Sequence, residues 1–144
     1  MCGIPGYIGN NIISQQNIEK TLKLMKNRGP NHQAYLEFRE SQYYTALLHS
    51  RLSIIDLDKR SNQPFSLNDY TIVFNGEIYN YIELSKELSR RQIHLFTKSD
   101  TEVLLWYFIL FGENCVEYFE GMWAFDIFNR KSGFFGTRRN GIFA

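Results

Sequence analysis

The spacing of apolar residues along the chain predicts three helices. Ile18, Leu22 and Met25 recur every three or four positions in a polar background, which is typical of an amphipathic helix that ends at Arg28-Gly29-Pro30. Each predicted helix has an apolar face to pack against the rest of the protein. The apolar positions of the other two helices are Leu84 and Leu88 in one and Val103, Leu104, Tyr107, Phe108 and Phe111, before Gly112, in the other.

Two of these helices are preceded by the residues of a capping box. Asn80 stands three positions before Glu83, and Ser99 stands three positions before Glu102. In a capping box, the first side chain accepts a hydrogen bond from the third helical N–H, and the third side chain bonds back to the first residue. We therefore expect the second and third helices to start at these positions.

Short apolar runs between polar turns predict strands. The runs are Cys2 to Ile8, Ala34 to Phe38, Tyr43 to His49, Leu52 to Leu57, Tyr70 to Phe74, and a hairpin of Met122 to Phe128 with Gly133 to Thr137. Because Pro5 lacks a backbone N–H, we expect a sheet edge or a bulge near it. Helices alternate with blocks of strands rather than with single strands, which favours an α+β fold over a parallel α/β sheet.

The composition narrows the classes of function. The chain has 16 Lys and Arg residues against 15 Asp and Glu residues, so no field of a single sign attracts nucleic acid or an anionic membrane. Its longest apolar run, Val103 to Phe111, is much shorter than the roughly 20 residues that span a bilayer. The first residues do not form a leader pattern, so we expect a cytoplasmic protein, and the length of 144 residues predicts one domain.

Cys2 is the strongest candidate for a catalytic residue. Removal of Met1 would leave a thiol and a free α-amine on the same residue, with ordinary pKa values of about 8.5 and about 7.7–8.0. Such an amine can take the proton of the thiol at neutral pH, and a nucleophile paired with an N-terminal amine is an established catalytic device. The dipeptide Cys2-Gly3 alone equally fits an incidental cysteine near a chain end.

Three other segments carry candidate polar groups. Asn75-Gly76-Glu77 is expected to form a tight turn, in which an amide side chain and a backbone N–H supply the two donors of an oxyanion hole. The Arg51 guanidinium suits a carboxylate, and the Asp100 carboxylate suits an ammonium group. Each also has a structural explanation, because Asn-Gly is a common turn, arginines flank many strands, and carboxylates stabilise helix starts.

The remaining reactive side chains are assigned no role. His32, His49 and His94 lack the spacing of metal ligands, and Cys115 is expected to be a buried, inert side chain. The sequence contains no glycine-rich phosphate-binding or dinucleotide-binding motif. We therefore expect no metal ion, ATP or NAD in this chain.

Six segments in order resemble the class II glutamine amidotransferase domain of glutamine-hydrolysing asparagine synthase. The resemblance covers about residues 2–130, and six ordered matches are more specific than any one of them. Related amidotransferases share the Cys-Gly-Ile start, whereas the third and fifth segments match asparagine synthase better. The segments are Met1-Cys2-Gly3-Ile4, Arg28-Gly29-Pro30, His49 to Asp56, Asn62-Gln63-Pro64, Phe74 to Asn80, and Ser99-Asp100-Thr101-Glu102.

The resemblance implies an N-terminal nucleophile (Ntn) hydrolase fold, an α+β sandwich of four αββα layers with two antiparallel sheets. It also implies that Cys2, on the first strand, attacks the side-chain amide of L-glutamine. This attack would give a glutamyl thioester and ammonia, and water would then release glutamate.

The resemblance also implies the role of each pocket residue. Asn75 and Gly76 match the family's oxyanion hole, and Arg51 matches the residue that binds the α-carboxylate of glutamine. Glu77 and Asp100 match the residues that hold its α-ammonium group. The family lines the same pocket with backbone groups at Leu52, Ser53, Ile54 and Ile55.

The resemblance further implies a partner for the ammonia. In the family, a synthetase domain or subunit uses ATP and magnesium to activate aspartate or a similar carboxylate. We expect residues 1–144 to hold the amidotransferase domain without that synthetase domain and without a cofactor, and a homodimer is compatible with the family. The segment Gly136 to Ile142 is shorter than its family counterpart and lacks an aspartate, so we expect an incomplete carboxyl end.

One departure from the family lies close to the nucleophile. Pro5 stands where the family usually has an aromatic residue, so we expect it to disturb the strand that carries Cys2. This departure and the carboxyl end leave a second hypothesis open. In it, the chain is a non-catalytic fragment that acts as a glutamine-binding or interaction module.

Overall fold

The computed structural model describes residues 2–40 and 43–140 of the chain. Its strands are β1 Gly6–Gly9, β2 His32–Arg39, β3 Tyr44–Arg51, β4 Phe65–Leu67, β5 Tyr70–Ile78, β6 Gly121–Asn129 and β7 Phe134–Asn140. Its helices are α1 Gln15–Leu24, α2 Tyr81–Arg90 and α3 Asp100–Phe111, with short 3-10 helices at Lys59–Ser61 and Gly112–Tyr118. No helix among the described residues is long and apolar enough to cross a membrane.

The strands of the described residues form two sheets in which every pair is antiparallel. One sheet has three strands in the order β1-β3-β2, and the other has four strands in the order β4-β5-β6-β7. The predicted hairpin at the carboxyl end is confirmed as β6 and β7. The α+β fold class is confirmed as well.

The elements stack in four layers. Side chains alternate along a strand, so each sheet has an outer face for a helix and an inner face for the other sheet. On the outer face of the three-stranded sheet, Ile18 of α1 packs against Ala46 of β3. The inner faces meet in a small cluster around Leu47, Val73 and Phe128. The cluster that holds α2 and α3 on the four-stranded sheet includes Leu88, Leu104, Ile72 and Phe125.

This order of layers is the αββα sandwich that the family resemblance implies. It places the Cys2 segment and the Asn75 strand in different sheets, whose inner faces oppose each other. Any site that uses both therefore lies between the sheets.

Pro5 shortens β1 but does not break the pairing of this segment with β3. Gly3 and Ser50 exchange two backbone hydrogen bonds of 2.9 Å, and the Pro5 carbonyl accepts a bond of 2.9 Å from the Leu48 N–H. These pairs keep the register of β1, so Cys2 lies opposite Arg51 at the end of β3. The expected disturbance of the strand is therefore limited to the one N–H that proline lacks.

The two predicted capping boxes differ in the structure. The Ser99 side chain accepts a bond from the N–H of Glu102, which confirms the start of α3, although Glu102 bonds to the preceding loop instead of to Ser99. Asn80 precedes α2 but does not cap it. Its side chain donates to the Tyr118 carbonyl and accepts from the Glu120 N–H, so it ties α2 to the segment before β6.

One strand prediction and one turn prediction next to the candidate residues are wrong. Leu52 to Leu57 is a loop, because its carbonyl groups turn inward to the Arg51 guanidinium instead of pairing with a strand. Asn75-Gly76 is not a turn, because both residues pair with β6 and β5 continues to Ile78. The short strand β4 is not predicted from the sequence at all.

Candidate active site

A cavity of about 220 Å³ opens where the end of β3, the strand β5 and the start of α3 come together. Of the predicted site residues, Ser53 does not line it, and its N–H donates to Asn31 instead. The predicted residues that do line the cavity are Cys2, Arg51, Leu52, Ile54, Ile55, Asn75, Gly76, Glu77 and Asp100. Residues from distant parts of the chain thus share one cavity.

Cys2 is held in the cavity wall by the strand pairing and by contacts of its own atoms. Its sulfur lies 3.3 Å from the Leu52 nitrogen and 3.7 Å from the Leu52 oxygen, so the thiol can accept from one group and donate to the other. The Arg28 side chain donates to the Cys2 carbonyl at 3.4 Å. The side chain is half-buried, which leaves the sulfur accessible from the cavity.

One edge of β5 is exposed to the cavity because β4 is short. In an antiparallel strand, the N–H groups of alternate residues point to the same edge. At this edge the Phe74 N–H donates to Gln63 Oε1 at 2.6 Å, and the Ile78 N–H donates to Asp100 Oδ2 at 3.3 Å. Gly76 lies between them, so its N–H is directed to the same edge and toward the cavity.

Gly76 has to be a glycine at this point of β5. Its φ angle is +154°, and a Cβ atom would lie 2.6 Å from the Trp123 Cα and would overlap the Met122 carbonyl oxygen. A side chain would therefore force β6 away from β5. The lack of one also leaves the N–H of Gly76 unobstructed.

The side chain of Asn75 supplies a second donor next to that N–H. The residue is 6% exposed and lines the cavity. Its side-chain amide forms no hydrogen bond with any other residue among 2–40 and 43–140, so its NH₂ group is available to a ligand. Two donors on consecutive residues of one strand suit an oxygen that becomes negatively charged during a reaction.

Two carboxylates make one side of the cavity acidic. Burial raises the pKa of Asp100 to about 6, backbone hydrogen bonds offset part of this effect, and the nearby Glu77 raises the pKa further. A cationic group bound between the two carboxylates would reduce their repulsion. The described residues include no group of three or more side chains that could hold a metal ion.

Arg51 supplies the positive charge of the cavity. Its side chain is 5% exposed, and its two terminal nitrogens donate to the carbonyls of Ile55, Asp56 and Asp58 and to the side chain of Asn62. It forms no ion pair with any described residue. Neutral dipoles therefore surround a buried cation, and a carboxylate would be its natural partner.

The loop around Arg51 is tied to the start of α3. Burial alone would raise the pKa of Asp56, but hydrogen bonds from the Lys98 N–H, the Ser61 hydroxyl and the Asp58 N–H outweigh it, so the pKa is lowered. Asp56 is thus a charged anchor between two walls of the cavity.

Several cavity residues were not identified as site residues in the sequence: Ser61, Gln63, Phe74, Ser99, Thr101 and Met122. Gln63 is the most informative of them, because it belongs to the Asn62-Gln63-Pro64 segment, in which no residue pattern points to a chemical role. His49 lacks the spacing of a metal ligand, yet it is fully buried and bonds to Phe74. No sequence pattern reports contacts of this kind across two sheets.

Comparisons with known proteins add an independent finding. The sequence pattern of the family described as glutamine amidotransferase domain matches residues 1–141. Asparagine synthetase [glutamine-hydrolyzing] 1 of Bacillus subtilis is 36% identical to the chain over 91% of it and 21% of the relative. The asparagine synthetase [glutamine-hydrolyzing] of Brassica oleracea is 33% identical over 99% of the chain and 24% of the relative. A relative in Methanocaldococcus jannaschii is 38% identical over 92% of the chain and 28% of its own length. The chain thus spans about a quarter of the length of these relatives.

Proposed function

The chain belongs to the glutamine amidotransferase domain family, and we propose that its cavity hydrolyses L-glutamine through a thioester on Cys2. The observation that carries this proposal is the arrangement around Cys2. A thiol, a pair of oxyanion donors, a buried cation and two carboxylates line the same cavity. Glutamine presents one amide, one carboxylate and one ammonium group, which are the counterparts of these groups.

The charged ends of glutamine would orient it in the cavity. Its α-ammonium group would lie between Glu77 and Asp100, where it relieves the repulsion between the two carboxylates. Its α-carboxylate would pair with Arg51, which has only neutral partners among the described residues. The side-chain amide is then left to face Cys2 and β5.

The chemical step would proceed by addition and elimination at the amide carbon. The Cys2 thiolate forms a bond to this carbon, and the carbonyl electron pair moves to the oxygen, which is stabilised by the Asn75 NH₂ and the Gly76 N–H. The C–N bond then breaks, and the departing nitrogen takes a proton and leaves as ammonia. Water adds to the thioester carbon, the C–S bond breaks, and glutamate leaves as the thiol is restored.

The proton carrier of the proposed reaction is the α-amine of Cys2. With Met1 removed, this amine lies on the same residue as the thiol and has an ordinary pKa of about 7.7–8.0. It can take the thiol proton before the attack and deliver it to the leaving nitrogen. Processing of Met1 is therefore a requirement of the proposal.

Intact mass spectrometry with a diazo-ketone analogue of glutamine tests this proposal. We expect loss of Met1, one covalent adduct per chain, and no adduct in Cys2→Ala. Cys115→Ala is a matched control, because burial raises the pKa of the Cys115 thiol to about 12 and this variant should still form the adduct. A folded wild-type chain that retains Met1 or forms no adduct would contradict the proposal and favour a glutamine-binding module.

We also propose that the ammonia serves a synthetase domain that lies outside these residues. Support comes from the printed names of the relatives and from their greater length. ATP and magnesium would be bound by that domain. Incubation of this chain with glutamine, aspartate, ATP and magnesium should yield equal amounts of glutamate and ammonia. Formation of asparagine by this chain alone would contradict the division of labour.

A further inference from the structure

The strand β5 loses its neighbour just before it reaches the oxyanion donors. β4 pairs with β5 from Phe65, opposite Ile72, and this register places Gln63 opposite Phe74. No β4 backbone pairs with Phe74, however, because β4 begins only at Phe65. Both backbone groups of Phe74 point to this edge, since the N–H and the C=O of one residue share a direction in an antiparallel strand.

Gln63 replaces the missing strand on the N–H side. Its side-chain oxygen accepts the Phe74 N–H at 2.6 Å, and its side-chain nitrogen donates to the Thr101 hydroxyl at 3.1 Å. Gln63 is 5% exposed, so water cannot readily take over these bonds. The side chain thus links β5 to the first turn of α3.

His49 replaces the missing strand on the carbonyl side. Its Nε2 lies 3.1 Å from the Phe74 oxygen. A carbonyl oxygen can only accept, so Nε2 carries the hydrogen of this bond. His49 belongs to β3 in the other sheet and is fully buried, so the bond ties the two sheets together at this point.

The bonded carbonyl belongs to the peptide group that joins Phe74 to Asn75. Its orientation fixes the start of the Asn75-Gly76 segment, which holds both oxyanion donors. Those donors must stay aimed at a single point for the reaction, and a displacement of about 1 Å can cost about 100-fold in rate.

We propose that His49 and Gln63 are positioning residues for the oxyanion hole. They replace the missing strand pairing at Phe74 and hold the next two residues in place for the Cys2 reaction. This inference rests on the proposed glutamine hydrolysis and adds two residues that act through Phe74.

Steady-state kinetics of four variants tests the inference. His49→Leu and Gln63→Leu remove the bonds, and we expect kcat per active site to fall about 10- to 100-fold with little change in KM. His49→Gln retains a donor at the position of Nε2 and should recover most of the loss. Thr45→Val is the matched control on the same face of β3, because the buried Thr45 hydroxyl bonds to no described residue.

Two measurements separate positioning from a general loss of folded protein. Active sites are counted with the diazo-ketone analogue, so unfolded chains do not enter kcat. The aldehyde analogue of glutamine is then used as an inhibitor, because addition of the Cys2 sulfur to its carbonyl carbon places an oxygen in the oxyanion hole. Its Ki should rise by the same factor as kcat/KM falls, as expected for a mimic of the transition state.

The same variants are also observed by NMR, which does not depend on catalysis. We expect faster hydrogen exchange of the Phe74 amide in Gln63→Leu and a changed carbonyl carbon shift of Phe74 in His49→Leu. The Val73 amide, which pairs with β6, is the internal reference.

The outcomes distinguish failure of the positioning role from failure of the proposed glutamine hydrolysis. Unchanged kcat and Ki in both leucine variants of an active chain would overturn the inference. If the wild-type chain does not hydrolyse glutamine, the proposed function fails and the NMR signals of Phe74 alone decide the positioning role. Changed signals then support it, and unchanged signals overturn it.

Discussion

At the residue scale, the cavity contains two buried ionisable groups, Arg51 and Asp100, whose surroundings differ. Four neutral oxygen acceptors surround the buried Arg51 guanidinium, which has no anionic partner among the described residues. Asp100 is buried beside Glu77, and its pKa rises to about 6 because burial and the like charge both disfavour the carboxylate. A zwitterionic ligand would place an opposite charge beside each of them.

The first prediction concerns the ionisation of Asp100. Its folded-state pKa of about 6 exceeds the ordinary 3.8, so the folded chain holds the proton more tightly. The contribution of this group to the free energy of unfolding therefore falls as pH rises from about 4 to about 6. The rise of this pKa from 3.8 to about 6 corresponds to a decrease of about 3 kcal/mol in the free energy of unfolding. Asp100→Asn should remove this pH dependence because asparagine does not titrate. Its side-chain oxygen can still accept the hydrogen bond from the Ile78 N–H.

Urea unfolding between about pH 4 and about pH 8 measures this slope. Asp69→Asn, a change of a partly exposed carboxylate that pairs with Arg130, controls for the altered net charge. An Asp100→Asn chain with the same pH dependence as the wild type would show that the carboxyl is not strained by burial.

At the element scale, the start of α3 and the strand β5 hold the site together. The N-cap at Ser99 sets where α3 begins, and the next residue, Asp100, accepts from Ile78 of β5. The helix thereby positions a carboxylate and supports the unpaired edge of β5 at once. Loss of order in either element should affect activity before it unfolds the protein.

The second prediction compares the N-caps of two helices. Ser99 caps α3, and Ser14 caps α1 through an equivalent bond to Asn17. Removal of either hydroxyl by Ser→Ala should cost about 1 kcal/mol of stability. Only Ser99→Ala should raise the KM for glutamine, because only that cap adjoins Asp100. Thermal unfolding and glutaminase assays on both variants measure this, and equal KM values would contradict it.

The third prediction compares two glycines with positive φ. Gly112→Ala should destabilise the chain by about 1–3 kcal/mol through backbone strain, since its φ is +60° and, apart from its chain neighbours, no described residue comes within 4 Å of the added Cβ. Gly76→Ala should cost more, because its Cβ would meet the backbone of β6. It should also abolish hydrolysis per folded chain. Similar unfolding midpoints and activities for the two variants would show that β6 can move aside for the Cβ at position 76 at little cost in stability.

At the scale of the whole molecule, the proposed reaction depends on the contact between two sheets. Cys2 is attached to the three-stranded sheet and Asn75 belongs to the four-stranded sheet. The small cluster around Leu47, Val73 and Phe128, together with the His49 bond to Phe74, keeps these sheets in register. Packing between the sheets thus sets the distance between Cys2 and the Asn75-Gly76 segment.

The fourth prediction follows from this division. Leu47→Ala and Leu88→Ala each remove a fully buried leucine and should each cost about 2–5 kcal/mol. Leu47 lies between the sheets, whereas Leu88 lies in the outer cluster under α2. Glutaminase activity per folded chain should fall only in Leu47→Ala. An equal effect of both variants on that activity would argue against control by the inter-sheet contact.

Local patterns in the sequence were sufficient for the helices and for most strands. Helix α2 carries Leu84 and Leu88 on its buried side, and the Ser99 cap begins α3 as predicted. The cavity residues Cys2, Asn75 and Asp100 came from ordered motifs, and the structure brings them together. These features depend on residue spacing and on short-range hydrogen bonds, which a single chain segment contains.

Only the tertiary structure decided the backbone conformation and the bonding partners of the segments around the cavity. Leu52 to Leu57 has strand-like residues, but its carbonyls bond to Arg51, and Asn75-Gly76 has turn-like residues, but β6 pairs with them and extends β5. His49 and Gln63 likewise meet Phe74 only after two sheets have packed. The sequence by itself determined the fold class and singled out Cys2 as the candidate nucleophile, whereas long-range hydrogen bonds between distant segments determined the shape of the cavity. Such bonds override local preference because a buried polar group left without a partner costs more than a propensity of a few tenths of a kcal/mol.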